Sequence, residues 1–272
     1  MRVGRAERIG NRIILLLFAS AVLWPIGTIL ATAFGPPTIR AEREGGRWHP
    51  GNFAAAWTEG GFGQYLFASF SVTATVVVFA VVCSVLAGYA FGTMRFRGST
   101  ALFYVFLLGI MVPTEAIIVP LHYDLRTFGL TDTLWGVALP QIAQSIAFGT
   151  YWMRAWFRAA PAGLIDAARL DGAGSLRILL QVLVPNARPA ITTMTVLIVM
   201  WTWNEFLIPL AMSPSGAFRT APFGLTRFDG QYTEGTALLA AGAILVALPV
   251  VVLYMLLQRH FIRGMLDGGL KG

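Results

Sequence analysis

Six long apolar runs constrain this chain more than any other feature. A bilayer core of about 30 Å needs roughly 20 apolar helical residues to cross it, and each run is about that long or longer. The runs are Ile13–Ala33, Leu66–Thr93, Ala101–Pro120, Leu134–Phe157, Ala190–Met212 and Ala237–Gln258. Because lipid offers no hydrogen-bond partners, continuous runs of this length cross it as helices. The sequence therefore predicts an all-α membrane protein with six transmembrane helices.

The runs also set the expected organisation of the chain. We expect a cytoplasmic N-terminus over residues 1–12, a six-helix transmembrane domain over 13–258 and a cytoplasmic tail over 259–272. The first run follows four arginines, as a cleaved signal would. It is long for a signal core and lacks a clear small-residue cleavage site, so we interpret it as an anchor.

Basic residues indicate the orientation of these spans. Of the 20 Arg and Lys residues, 14 lie in the N-terminus, the tail and alternate connections, and 6 lie in the other connections. The positive-inside rule places the richer set, and so both termini, in the cytoplasm. The net charge of +7 is thereby explained by membrane topology, and no nucleic-acid partner is predicted.

Several chemistries are disfavoured by what the sequence contains. Cys83 is the single cysteine, which leaves no intramolecular disulfide, and the three histidines lack metal-ligand spacing. The only lysine is Lys271, whereas a phosphate-binding P-loop needs a lysine after its glycines. We therefore predict no metal site, no bound cofactor and no ATPase site in this chain.

The second run contains two glycines four residues apart, Gly88 and Gly92. On a helix these positions share one face, where the absent side chains let another helix approach closely. We expect close helix packing at this face.

The stretch from Leu164 to Pro185, between the fourth and fifth runs, is charged and broken by glycines. Its composition predicts a short helix over Ala162–Leu170, a turn at Gly172 that requires a positive φ, and a second helix with Ser175 as N-cap that stops at Pro185. The residues alone leave two interpretations open. The stretch is either an amphipathic connector on the membrane surface or a compact cytoplasmic projection.

The letters "DAARLDGAGSLRILLQVLVP" favour the second interpretation. They resemble the signature of permease subunits of binding-protein-dependent ABC importers, which reads E-A-A, three residues, G, nine residues, I-x-L-P. Asp166, Ala167, Ala168 and Gly172 stand at the first positions, and Pro185 stands at the last. Asp replaces Glu and Val replaces both Ile and Leu, but the spacing is intact. We call residues 162–185 the signature segment.

The resemblance implies a heteromeric importer of the bacterial inner membrane. Its other parts are a second permease subunit, two ATP-binding subunits that bind ATP and Mg, and an extracytoplasmic solute-binding protein. It also implies that the signature segment, within the loop 158–189, docks onto the ATPase subunit as a coupling helix. The residues implied in coupling are Leu164, Asp166, Ala167, Ala168, Leu170, Asp171, Gly172 and Pro185.

Other stretches narrow the resemblance to a class. The letters "VPTEAIIVPLHYDLRTFGLTDTLWGVALP", "WNEF" and the tail are similar to carbohydrate-uptake permeases, specifically the maltose-type second permease. This implies a sugar-like substrate, while a glycerol-phosphate compound stays an alternative within the class. Two alternatives lie outside this class of permeases: a membrane scaffold, and a hydrolase on the outer face that would use Glu115, Asp124 and Asp132.

Polar residues within spans are costly and usually face a cavity or a partner. Counted along straight helices at 1.5 Å per residue, Glu115 and Glu205 reach similar depths, about 21 and 22 Å from the inner end. We expect both to border one cavity. Trp201, Trp203 and Asn204 accompany Glu205, and aromatic faces with amides and carboxylates suit sugar rings and hydroxyls. Alternatively, Glu205 caps a turn before Pro209 or belongs to a gate.

Overall fold

The computed structural model describes residues 5–36, 48–228 and 236–269, and every regular element in these ranges is helical. The all-α prediction is therefore confirmed for the described residues. The elements are α1 (Arg5–Ala33), α2 (Gly51–Gly60), α3 (Phe62–Thr93), α4 (Ser99–Met111), α5 (Thr114–Thr127), α6 (Leu134–Ala159), α7 (Ala162–Leu170), α8 (Ser175–Asn186), α9 (Arg188–Asn204), α10 (Leu207–Met212), α11 (Ala221–Gly224), a 3₁₀ turn (Leu225–Arg227) and α12 (Thr236–Gly269).

Three helices in the described ranges are long and apolar enough to cross a membrane, namely those over Glu7–Ala33, Phe62–Thr93 and Thr236–Leu256. Two bent pairs, α4 with α5 and α8 with α9, raise the number to five if each pair is one span. Helix α6 has 26 residues, about 39 Å at 1.5 Å per residue, but polar side chains lower its hydropathy. Six spans thus remain a prediction.

The third and fifth apolar runs are not straight helices, contrary to expectation. The chain bends by 99° between α4 and α5, where Val112 is extended (φ −75°, ψ 116°). Pro113 accounts for this, because a proline disfavours helical backbone in the residue before it.

The fifth run breaks at Glu205, which is also extended (φ −66°, ψ 124°). A proline ring within a helix clashes with the carbonyl four residues earlier, and Pro209 stands four residues after Glu205. The carbonyl that the break frees is not left unpaired, because Thr220 Oγ1 donates to Glu205 O at 3.1 Å.

The described chain divides into two compact units, the first comprising Met1–Gly63 and Gly224–Leu248. Its core contains Ala33, Ala56 and Ala241, all fully buried. The buried side chain of Asn52 ties α2 to the end of α1, since its Nδ2 donates to Ala33 O and Gly35 O at 2.9 and 2.8 Å. Most apolar side chains of α1 are exposed, as expected for a helix that faces lipid or another subunit.

The second unit comprises Gln64–Phe223 and Pro249–Gly272, and α3 packs closely on α6 within it. A Cβ atom added to Gly88 would lie 2.5 Å from Met153 Cβ, and one added to Gly92 would lie 3.0 Å from Phe157 Cβ. A Cβ atom on Gly149, on the facing helix, would collide with Ser84. The close packing expected at the two glycines is confirmed.

Candidate functional site: the signature segment and an interhelical cavity

The signature segment begins with α7, whose bounds agree with the predicted helix. It ends in a Schellman motif: Ala173 N donates to Ala168 O at 2.9 Å and Gly172 N donates to Arg169 O at 3.0 Å. Gly172 has φ +77°, which confirms the predicted positive φ. Because an added Cβ there would meet nothing within 4 Å, the constraint at Gly172 lies in the backbone conformation rather than in packing.

One face of α7 packs inward and the other is exposed. Ile165 and Ala168 are half-buried against the core of the second unit. Leu170, at the end of the helix, is 89% exposed, and Leu164 is 38% exposed. Of the other residues implied in coupling, Asp166, Ala167, Asp171 and Gly172 are also exposed, and Pro185 is half-buried. The segment therefore presents apolar and charged side chains outward, beside a turn that backbone hydrogen bonds close.

The second half of the segment differs from the prediction in two respects. Ser175 is the first helical residue and its side chain makes no capping bond; the N-cap is Gly174, which is extended (φ −72°, ψ 164°). The helix also includes Pro185 and ends one residue later, at Asn186, because the π-helical stretch before the proline does not use the i→i−4 hydrogen bond that a proline lacks. A π-helical stretch over Ile178–Leu183 precedes it, with Ile178, Leu179 and Leu183 buried.

A cavity of about 610 Å³ lies among α4, α5, α6 and α9 of the second unit. Four of the five residues predicted along the substrate pathway line it: Glu115, Trp201, Asn204 and Glu205. Trp203 does not. It is buried against Phe70, with ring centroids 4.9 Å apart, and lines a separate apolar cavity of about 250 Å³.

Both acidic residues of the cavity stand at helix breaks. Glu115 lies in the first turn of α5, just after the bend at Pro113, where the positive end of the helix dipole favours a carboxylate. Glu205 precedes α10, and its Oε1 accepts a hydrogen bond from Ile208 N at 3.0 Å. Glu205 therefore lines the cavity and also caps α10, as the alternative interpretation held. The predicted depths of Glu115 and Glu205 assumed straight helices, but both spans are broken near these residues. The two acids nevertheless border one cavity.

Three polar residues of α6 that line the cavity were not predicted as site residues. Gln141, Gln144 and Ser145 share one face of α6. Gln144 Nε2 donates to Thr114 Oγ1 and so joins α6 to the start of α5. Gln141 is 4% exposed, and its Oε1 has no hydrogen-bond partner among the described residues. Their spacing within an apolar run was the sequence signal for this face.

The carboxylate of Asp132, considered for an outer-face hydrolase, is held by a loop. Its Oδ1 accepts hydrogen bonds from Ser215 N at 2.8 Å and Ser215 Oγ at 2.6 Å. Burial would raise the pKa of Asp132, but the hydrogen bonds from Ser215 and Ser213 outweigh it and lower the pKa below its ordinary value. Asp132 thus joins two loops. Among the described residues no group of three His, Cys, Asp or Glu side chains is placed to hold a metal ion.

Residues 80–267 match the family described as the binding-protein-dependent transport system inner membrane component. The chain belongs to this family. The matched range covers the cavity and the signature segment, so the resemblance inferred from the signature is confirmed. Members of the family are ABC transporter permeases, which are transport subunits rather than enzymes.

Individual permeases match over most of their length. The chain is 30% identical to the probable ABC transporter permease protein YurM of Bacillus subtilis over 263 residues, 96% of this chain and 87% of YurM. It is 34% identical to the trehalose transport system permease protein SugB of Mycobacterium tuberculosis over 213 residues, 78% of each chain. The maltodextrin transport system permease protein MdxG of Bacillus subtilis is 29% identical, with 98% and 97% covered.

A solved structure shares the fold of this permease. The neighbour comes from a bacterial ABC transporter involved in the import of the acidic polysaccharide alginate. It superposes with a TM-score of 0.72 and covers 96% of this chain and 99% of its own, at 23% sequence identity. At this identity the likeness shows the fold alone.

Proposed function

We propose that this permease forms half of the translocation pathway of an ATP-driven importer for a sugar or sugar-like solute. The observation that carries the proposal is the family match over 80–267. Sugar transport is supported by the similarity to SugB and MdxG, which belong to trehalose and maltodextrin transport systems. It is also supported by the cavity, which combines the indole of Trp201 with carboxylates and amides that suit hydroxyl-bearing rings.

The importer we propose contains this permease, a second permease, two ATP-binding subunits and an external solute-binding protein. ATP and Mg are bound by the ATP-binding subunits. In the permease, six spans place both termini and the signature segment in the cytoplasm, with α4–α5 and α9–α10 each forming one broken span. Helix breaks in lipid are tolerated where they line a cavity, and both breaks here do so.

The signature segment is the proposed contact with the ATPase subunit. Leu170 projects from the end of α7 with 89% of its surface exposed, and an isolated apolar side chain of this kind gains about 2 kcal/mol when a partner buries it. The Schellman motif after Leu170 fixes its direction. Movement of the ATPase would then be transmitted through Ile165 and Ala168 to the core of the second unit.

Purification under mild detergent tests the proposed function. When the permease is purified from its native host, we expect an ATP-binding subunit and a second permease to co-purify with it. In liposomes, that complex should take up labelled sugar only when ATP and the solute-binding protein are both supplied. A permease that purifies without a nucleotide-binding partner would contradict the proposed importer.

A further inference from the structure

Acceptor groups are prominent in the lining of the cavity of about 610 Å³. Each amide nitrogen of its three amide side chains already makes one hydrogen bond within the protein: Gln141 Nε2 donates to Val137 O, Gln144 Nε2 to Thr114 Oγ1 and Asn204 Nδ2 to Met200 O. The carboxylates of Glu115 and Glu205 are acceptors as well.

One of these acceptors is buried without a partner. Gln141 is 4% exposed, it lines the cavity, and its Oε1 makes no hydrogen bond among the described residues. A buried polar atom left unpaired costs about 1–3 kcal/mol, so a solute that donates a hydrogen bond to it recovers that cost. Gln141 thus adds to the cavity wall a polar side chain whose oxygen is unsatisfied, a second feature beside the two acids.

The charged residues that line the cavity are all acidic. The described lining includes Glu115 and Glu205 but no Arg, Lys or His. A further negative charge brought into such a site meets repulsion without a compensating cation, whereas hydroxyl and ammonium groups can donate hydrogen bonds to the two carboxylates.

We infer that this cavity selects uncharged or amino-bearing saccharides and rejects uronates and phosphorylated sugars. The inference rests on the proposed function and specifies its substrate class. The fold does not determine this selectivity, because the structural neighbour belongs to a transporter of an acidic polysaccharide. The selectivity lies in the side chains, where function on a shared fold usually resides. The acidic lining also argues against a glycerol-phosphate compound as the substrate.

Three probes of matched ring structure test the inference: glucose, glucosamine and glucuronate. Their affinities are measured by ligand-observed NMR on the complete importer complex in nanodiscs, without the solute-binding protein, so that only the permease cavity is sampled. We expect glucose and glucosamine to bind, and glucuronate to bind at least about tenfold more weakly, since tenfold corresponds to only about 1.4 kcal/mol.

The double variant Glu115→Gln/Glu205→Gln assigns the discrimination to the two carboxylates. Gln keeps an oxygen for Ile208 N and the side-chain length, so the variant should fold and should bind glucuronate nearly as well as glucose. The control Asp124→Asn removes an acid of α5 that does not line the cavity, and should leave the discrimination as in the wild type.

Each outcome separates this inference from the proposed function. Glucuronate binding as tightly as glucose in the wild type overturns the inference while a saccharide pathway stands, as does a double variant that still rejects glucuronate. If none of the three probes binds, the saccharide assignment fails and the inference fails with it.

Discussion

Gly172→Val is expected to uncouple the importer while leaving the permease in the membrane. Gly172 adopts φ +77°, a conformation that costs a non-glycine residue roughly 1–2 kcal/mol and a β-branched residue more. The space around its Cα is open, so the substitution creates no collision in the core. The strain is relieved by changing the turn, which redirects Leu170 and breaks the hydrogen bonds from Gly172 N and Ala173 N.

Uptake and ATPase rate, measured on the same liposomes, give the expected result. Uptake falls by about tenfold or more, because a loss of only about 1.4 kcal/mol in the contact between the signature segment and the ATPase subunit corresponds to a factor of ten. ATP hydrolysis is no longer stimulated by the loaded solute-binding protein. The amount of folded permease stays near that of the wild type.

A matched control lies two residues away. Gly174 also has open space around it, but its backbone is extended (φ −72°, ψ 164°), which β-branched residues adopt readily. Gly174→Val should therefore retain coupling. Asn, which tolerates positive φ, should partly restore coupling at position 172. Wild-type uptake in Gly172→Val would show that the turn geometry is not needed for coupling.

Gly88→Ala is expected to destabilise the permease itself. The new Cβ would lie 2.5 Å from Met153 Cβ and 3.0 Å from Arg154 N, and neither of these atoms is the free end of a flexible side chain. Overpacking of a well-packed core typically costs about 1–3 kcal/mol, and here α3 and α6 must separate as whole helices. The yield of monodisperse permease and its thermal midpoint should both fall sharply.

The same substitution at a glycine with open surroundings provides the control. A Cβ added to Gly27 in α1 meets nothing within 4 Å, so Gly27→Ala should keep the yield and thermal midpoint of the wild type. If Gly88→Ala has the same yield and thermal midpoint as Gly27→Ala, the close approach of α3 and α6 does not contribute to the stability of the permease.

Hydrophobic patterning predicted the helices well, because membrane helices are long and nearly uniform in composition. The predicted ends at Ala33 and Thr93 coincide with those of α1 and α3, and α7 has its predicted bounds. Gly172 was interpretable because a positive φ is the one backbone requirement that glycine signals directly. The N-cap prediction at Ser175 was wrong because the extended residue before the helix is Gly174, which leaves Ser175 as the first helical residue.

The helix breaks, and therefore the cavity walls, were not predicted. Average hydropathy over a long run does not respond to one proline, although Pro113 and Pro209 each carry the steric reason for the break near them. Tertiary packing decided the rest. Trp203 and Glu205 are two residues apart, yet one is buried beside Phe70 and the other lines the cavity. No local pattern distinguishes these two environments.

The central claim is that the signature segment contacts the ATPase subunit on the cytoplasmic side. A photo-cross-linking amino acid at Leu170, in the complete importer, tests it most directly. The control carries the same group at Phe128, which is 76% exposed and lies in a connection assigned to the outer face. We predict that Leu170 yields an adduct with the ATP-binding subunit and that Phe128 yields none. An adduct between Phe128 and the ATP-binding subunit would contradict this claim. So would a complex that still transports but forms no adduct between Leu170 and that subunit.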